Sequence, residues 1–190
     1  MAQFINKKEM LVQHSLDGLL CTSGGGSGHE PAHAGFVGTG MLTAAVCGEV
    51  FASPSIDAVF AAIMAVTGTG GCLLIINNYT GDRLNFGLAL ERARSLGKKV
   101  EVVIVKDDIA IPEVTKPRGI AGVIFVEKIA GHYAEKGWPL HKVARVAQKA
   151  ADALVSLGLA LTSLGSAGKI VHRAARQNWG WTFMVSRAWN

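Results

Sequence analysis

Five consecutive apolar residues, Cys72-Leu73-Leu74-Ile75-Ile76, constrain the fold of this chain more than any other stretch. A strand apolar on successive residues has both faces covered, which happens in parallel sheets wrapped by helices. The flanking sequence agrees. Ile56, Val59, Phe60, Ile63 and Val66 recur at three- and four-residue spacing, as one buried helical face requires. Ser53-Pro54-Ser55, with Asp57 in the first turn, supplies that helix with a start. Arg83 to Leu96 is a second amphipathic helix ended by Gly97, and Val100 to Val105 is a further strand. Leu19 to Thr22 and Ala44 to Phe51 read as shorter strands, Ala32 to Val37 as a short helix, and Pro112 to Arg118 as loop. Gly122 to Gly137 and Leu140 to Leu157 read as helices, although Val123-Ile124-Phe125-Val126 also suits a strand start; Leu159 to Thr162 is a candidate last strand. Strands alternating with helices predict an α/β fold, a largely parallel sheet flanked by helices on both faces.

Ligands of such sheets sit beyond the carboxyl ends of the strands. Two segments fall there: Thr22-Ser23-Gly24-Gly25-Gly26-Ser27-Gly28-His29-Glu30-Pro31 and Asn77-Asn78-Tyr79-Thr80-Gly81-Asp82. The first reads as a glycine loop that lets a ligand approach the backbone, with Ser27 placed to cap a following helix. Glycine-rich turns also close tight strand-to-helix connections with no ligand. The stretch lacks Gly-x-x-x-x-Gly-Lys-[Ser/Thr], and His29 stands where a dinucleotide fingerprint wants glycine, which argues against both nucleotide motifs. What remains is an imidazole, His29, and a carboxylate, Asp82, a pair suited to general acid–base work on a small hydroxylated substrate. His29 is otherwise a loop hydrogen-bond donor, and Asp82 a carboxylate favoured by a helix N-terminus. His33, His132, His141 and His172 read as surface or packing residues, and Asp107-Asp108 as a solvated pair that makes no metal site.

Composition narrows the class. The 190 residues are 49% hydrophobic and 17% charged, which excludes disorder and suits one domain with a real core. Cys21, Cys47 and Cys72 have neither zinc spacing nor a pairing pattern and read as reduced core thiols of an intracellular protein. Of the net charge of +5, four charges (Lys169, Arg173, Arg176 and Arg187) lie in the acid-free segment 167–190. That is not the concentrated basic face of a nucleic-acid binder. With no secretory pattern and no apolar run of membrane-spanning length, the expectation is a soluble, cytoplasmic protein.

Ser23 to Pro31, Gly48-Glu49-Val50-Phe51-Ala52-Ser53-Pro54 and Asn78 to Phe86 together resemble the substrate-binding domain of the dihydroxyacetone kinase family. His33-Ala34-Gly35-Phe36 and Asn85-Phe86-Gly87-Leu88 look most like its animal, bifunctional triokinase/FMN cyclase branch. The resemblance covers about Leu19 to Thr162. It implies ATP-dependent phosphorylation of dihydroxyacetone or glyceraldehyde, with His29 and Asp82 assisting proton transfer. Substrate contacts would come from Gly26, Ser27, Gly28, His29, Asn77 and Asp82, with Asn77 standing where the family has lysine. The family holds its substrate through a further histidine, which has no match here, and binds ATP with Mg²⁺ on a separate helical domain. In animals it also cyclises FAD.

The resulting expectation is a lead-in over 1–18, an incomplete substrate domain over 19–163, and a divergent basic, Trp-rich tail over 164–190. That tail suggests a shifted reading frame, an alternative exon or a degraded gene copy, or else a basic–aromatic patch for a partner or membrane. The competing expectation is a catalytically inactive isoform that binds small sugars or pairs with itself or a full-length partner.

Overall fold

A computed structural model of the chain describes residues 19–110, 115–159 and 181–186. Four strands form one parallel sheet: β1 (Leu20–Ser27), β2 (Ala44–Val50), β3 (Cys72–Asn77) and β4 (Val100–Val105), in the spatial order β2-β1-β3-β4. The apolar run at 72–76 is the central strand β3, flanked by β1 through Thr22↔Leu74 and by β4 through Leu74↔Val102. Its residues Cys72 to Ile76 are buried on both faces, as an internal parallel strand requires.

Helices α1 (Ile56–Val66) and α2 (Thr80–Ser95) cover one face, packing Val59, Ile63, Val66, Phe86 and Leu90 on Leu74 and Ile76. Helices α3 (Val123–Glu135) and α4 (Leu140–Ala153) cover the other, packing Val126, Ala130, Val143 and Ala147 on Leu73, Ile75 and Val103. Ser55 caps α1 by accepting from the Ala58 N–H at 3.2 Å, satisfying one free donor of the first turn. The predicted α/β sheet with helices on both faces is therefore the observed fold.

Four local expectations are corrected. The glycine-rich stretch is strand rather than loop: Gly24, Gly25 and Gly26 lie inside β1, which pairs with β2 from Thr22↔Ala44 to Ser27↔Val50 with a shift between Gly25 and Ser27. Glycine is needed there because neighbouring backbone crowds the strand. A Cβ on Gly24 would collide with the Val46 carbonyl oxygen, and one on Gly26 would meet the Ala52 nitrogen at 2.7 Å. Second, no α-helix follows Ser27; its hydroxyl instead donates to the Gly48 carbonyl at 2.7 Å, and the expected short helix shrinks to a 3₁₀ turn over Ala34–Phe36.

Third, Val123 to Val126 is the first turn of α3, while α4 stops at Ala153, where the chain becomes a strand, β5 (Leu154–Leu159). Ser156 is drawn out of the helix by main-chain bonds to the end of β4: its N–H donates to the Asp107 carbonyl at 2.6 Å, and its carbonyl accepts from Ile109 at 2.9 Å. Fourth, residues 181–186 of the tail form β6 (Trp181–Ser186), antiparallel to β5 from Leu154↔Ser186 to Leu159↔Trp181. Residues 1–18 and 160–162 and His172 lie outside the described residues, as do the rest of the tail and Pro112 to Val114 of the expected loop.

Asp107 and Asp108 are not a solvated pair. Asp107 is 2% exposed and accepts from the Ile120 and Gly122 N–H groups, both at 2.8 Å, and from the Ser156 hydroxyl. Asp108 is held by the Arg118 guanidinium through two nitrogens at 2.8 Å. Of the cysteines, Cys21 and Cys72 are buried core thiols, whereas Cys47 on the edge strand β2 is exposed, contrary to its core assignment. Burial pushes the Cys72 thiol up to about 11, against the hydrogen bonds of Thr22 and Thr67, and pushes Cys21 up as well.

Candidate functional site at the carboxyl ends of the central strands

Strands β1 and β3 are the central pair, so their carboxyl ends open between both helical layers. β1 delivers Gly25 and then the turn carrying Gly28, His29 and Glu30. Gly28 has φ +106°, which a side chain would strain, and the Phe51 ring lies against its Cα, 2.9 Å from where a Cβ would stand. Glu30 accepts from the Gly28 N–H at 3.1 Å, a bond that holds its carboxyl below the usual range. His29 is exposed at the mouth, and its Nε2 comes within 3.6 Å of the point that a Gly25 Cβ would occupy. Among the described residues no side chain fills that point.

β3 delivers Asn77 and, through Asn78 and Tyr79, the start of α2. The Asn78 side-chain amide donates to the Pro117 carbonyl at 2.6 Å, fixing the turn. Asp82 follows in the first turn of α2, where the helix dipole favours a carboxylate. Yet Asp82 is 6% exposed and its Oδ1 has no hydrogen-bond partner among the described residues. Burial pushes its carboxyl above the usual range, opposed by a hydrogen bond from Ser53 and by the nearby His33 and His29. A buried, partly desolvated carboxylate with a free oxygen is an acceptor waiting for a proton or a hydroxyl.

The structure thus brings His29 and Asp82 into one electrostatic neighbourhood. Ser27, by contrast, spends its hydroxyl on Gly48, and the bare face of Gly26 serves the approach of Ala52. Asn77 turns its Oδ1, buried and without a partner among the described residues, toward Gly119 at the start of the segment leading into α3. Two residues escaped the reading of the sequence. Ser53, in the connection from β2 to α1, bonds Asp82. His33, expected at the surface or in packing, is 2% exposed, packs edge-on against His29 with ring centres 5.9 Å apart, and pairs with Glu127 of α3 at 2.7 Å. The His29-x-x-x-His33 spacing was the available signal; the partner, 94 residues further on, was not.

Among the described residues no three His, Cys, Asp or Glu side chains converge as a metal site, and no helix is long and apolar enough to cross a membrane. Fold and site together define an α/β protein with a small polar site at the carboxyl end of a parallel sheet. The chain belongs to the Dak1 domain family, whose match runs over residues 3–175, beyond both ends of the 19–163 span. It is 68% identical over 141 residues to a dihydroxyacetone kinase of Citrobacter freundii, covering 74% of this chain and 26% of that protein. It is 50% identical over 168 residues to the triokinase/FMN cyclase of Rattus norvegicus, covering 84% and 29%. The likeness is therefore not confined to the animal branch.

The crystal structure of the C. freundii dihydroxyacetone kinase in its native form superposes with a TM-score of 0.80 at 58% identity, covering 88% of this chain and 31% of that one. The same enzyme in complex with AMP-PNP and Mg²⁺ gives 0.79 at 60% identity, covering 86% and 30%. The chain thus spans less than a third of the length of these relatives.

Proposed function

We propose that this domain is the substrate-binding part of an ATP-dependent dihydroxyacetone (glycerone) kinase, taking dihydroxyacetone or glyceraldehyde in the cytoplasm. The observation that carries the reading is Asp82: buried, raised by desolvation, with an Oδ1 that has no partner among the described residues and a carboxyl that feels the charge of His33 and His29. A carboxyl tuned upward toward neutrality is a better acceptor for a hydroxyl proton than an ordinary surface aspartate. Asp82 Oδ1 takes the proton from the triose hydroxyl as it becomes the nucleophile. His29 holds a neighbouring oxygen, and the Gly26–Gly28 backbone and Asn77 line the approach.

ATP with Mg²⁺ supplies the phosphoryl group, and in this reading both are carried by another domain or by a full-length partner. The C. freundii enzyme crystallised with AMP-PNP and Mg²⁺ supports that chemistry, and the Asp82–His29 site contributes positioning and proton acceptance to it.

Thermal unfolding with and without millimolar dihydroxyacetone tests the reading. A ligand bound only by the native state raises the midpoint, by about 2.7 kcal/mol of stability at a hundredfold excess over Kd. We expect a rise that Asp82→Asn and His29→Asn both reduce. A cooperative transition indifferent to the ligand would refute the site. Turnover with an added ATP-binding domain separates a working half-site from a module that only binds sugar.

A further inference from the structure

Behind Asp82 and His29 lies a polar cluster to which the chemistry above gives no task. Ser23, His33 and Glu127 are 0%, 2% and 0% exposed, set among Leu73, Ile75, Val103 and Val126. Burying such groups costs stability unless each finds a partner.

The protons of this cluster can be traced. Ser23 Oγ lies 2.7 Å from the Ile75 carbonyl, which can only accept, so the single hydroxyl proton is committed there. Toward His33 Nδ1, 3.3 Å away, the Ser23 oxygen is then an acceptor. Glu127 Oε1 is a second acceptor, 2.7 Å from the same nitrogen. Two acceptors facing one imidazole nitrogen place the proton on Nδ1, as a carboxylate does behind a metal-bound or catalytic histidine. In the neutral ring Nε2 is left with a lone pair.

That Nε2 is buried and has no partner among the described residues. The Cδ2–Nε2 edge is the side of the ring opposite Nδ1, and Cδ2 lies 3.9 Å from the point above Gly25 that also stands 3.6 Å from His29 Nε2. One empty point is therefore bordered by both imidazoles, and His33 is close enough to influence Asp82.

We propose that His33 is a second substrate-contacting residue, its Nε2 accepting a hydrogen bond from a hydroxyl of the bound triose, and that Glu127 and Ser23 are positioning residues that fix its tautomer. The proposal rests on the reading of this site as a triose site. It explains why a carboxylate and an imidazole are kept in an otherwise apolar layer. A cluster serving the fold alone would leave Nε2 satisfied within the protein.

The test uses the full chain labelled with ¹⁵N-histidine and long-range ¹H–¹⁵N spectra, recorded with and without millimolar dihydroxyacetone. His33 is assigned by elimination, through single substitutions at the other histidines, so the test does not depend on a His33 variant that folds. We expect the Nδ1–H tautomer in the free protein and a shift of His33 Nε2 on adding dihydroxyacetone. Glu127→Gln should redistribute the tautomers and weaken dihydroxyacetone binding about tenfold, as loss of one well-placed hydrogen bond would. If His29 responds to dihydroxyacetone while His33 keeps its shifts, the inference is wrong and the triose site stands. A His33 found with its proton on Nε2 in the free protein overturns it too. If neither ring responds and the midpoint does not move, both readings fall together.

Discussion

The two faces of the sheet are built from different chemistry. Under α1 and α2 the layer is largely apolar: Val59, Ile63, Phe86, Ala89 and Leu74 meet around the Cys72 thiol and the Thr22 and Thr67 hydroxyls, and Asp82 in the first turn of α2 brings the buried carboxyl of that side. Under α3 and α4, Leu73, Ile75 and Val126 share the layer with Glu127, His33 and Ser23, while Asp107 and Ser156 lie at its rim. The apolar face owes its stability to burial, roughly in proportion to area. The mixed face depends on each polar group keeping its partner, because the penalty for an orphan exceeds the net gain from a bond. A site needs the second kind of layer, since only unsatisfied or tunable groups can answer a ligand.

Four substitutions break or sharpen this contrast, from the largest effect to the smallest. Phe86→Ala on the apolar face should cost about 3–5 kcal/mol, since Phe86 is fully buried and touches the bare strand at Gly24. A chain of this size then loses roughly 10 °C of midpoint in a thermal scan. Asp107→Ala on the mixed face strips the Ile120 and Gly122 N–H groups and the Ser156 hydroxyl of their acceptor at once. It should cost about 2–3 kcal/mol by denaturant titration. A larger loss there than at Phe86 would mean that the polar ties, not the hydrocarbon layer, dominate stability.

Gly25→Ala separates fold from site. The new methyl finds only ordinary contacts with the His29 and His33 rings, so stability should move by less than about 1 kcal/mol. It occupies the point between the imidazoles, however, and should abolish the dihydroxyacetone-induced rise in midpoint. The smallest effect is a gain. Because burial raises the Asp82 carboxyl in the folded chain, its stabilising contribution is full below the unfolded value of 3.8 and is lost as pH climbs through the folded value. Asp82→Asn removes that loss, so it should raise the midpoint of thermal unfolding slightly at neutral pH. The gain should vanish in scans carried down to pH 3, and a variant less stable than the parent at pH 7 would contradict the assigned cause.

The apolar face was the easier one to read in the sequence. Its helices advertise themselves through Ile56, Val59, Ile63 and Val66, and its strands through 72–76 and 100–105, because periodicity is a local property. Gly24 to Gly26 defeated the same reasoning. Glycine weakens an isolated strand, but here the closeness of Val46 and Ala52, distant in sequence, demands it. The polar layer was hidden for the same reason. Asp107 looks solvated until Gly122 and Ser156, 15 and 49 residues away, come to meet it. His33 looks peripheral until Glu127 arrives from α3. His29 and Asp82 were visible as candidates because each sits at a strand end, whereas Ser53 was read only as part of a helix start.

The Asp107 side chain has a consequence for how the molecule comes apart. It touches the residue before α3 and the residue two places into β5, so one carboxylate ties together both ends of the segment holding α3 and α4. A segment closed at its ends cannot fray from either of them. The α3–α4 pair should therefore open as one cooperative unit, its amides exchanging with deuterium at a shared rate rather than in a gradient from the termini. Cutting the tie would turn that single event into separate ones, and the layer bearing Glu127 would then breathe independently of the β1–β2 connection that carries His33.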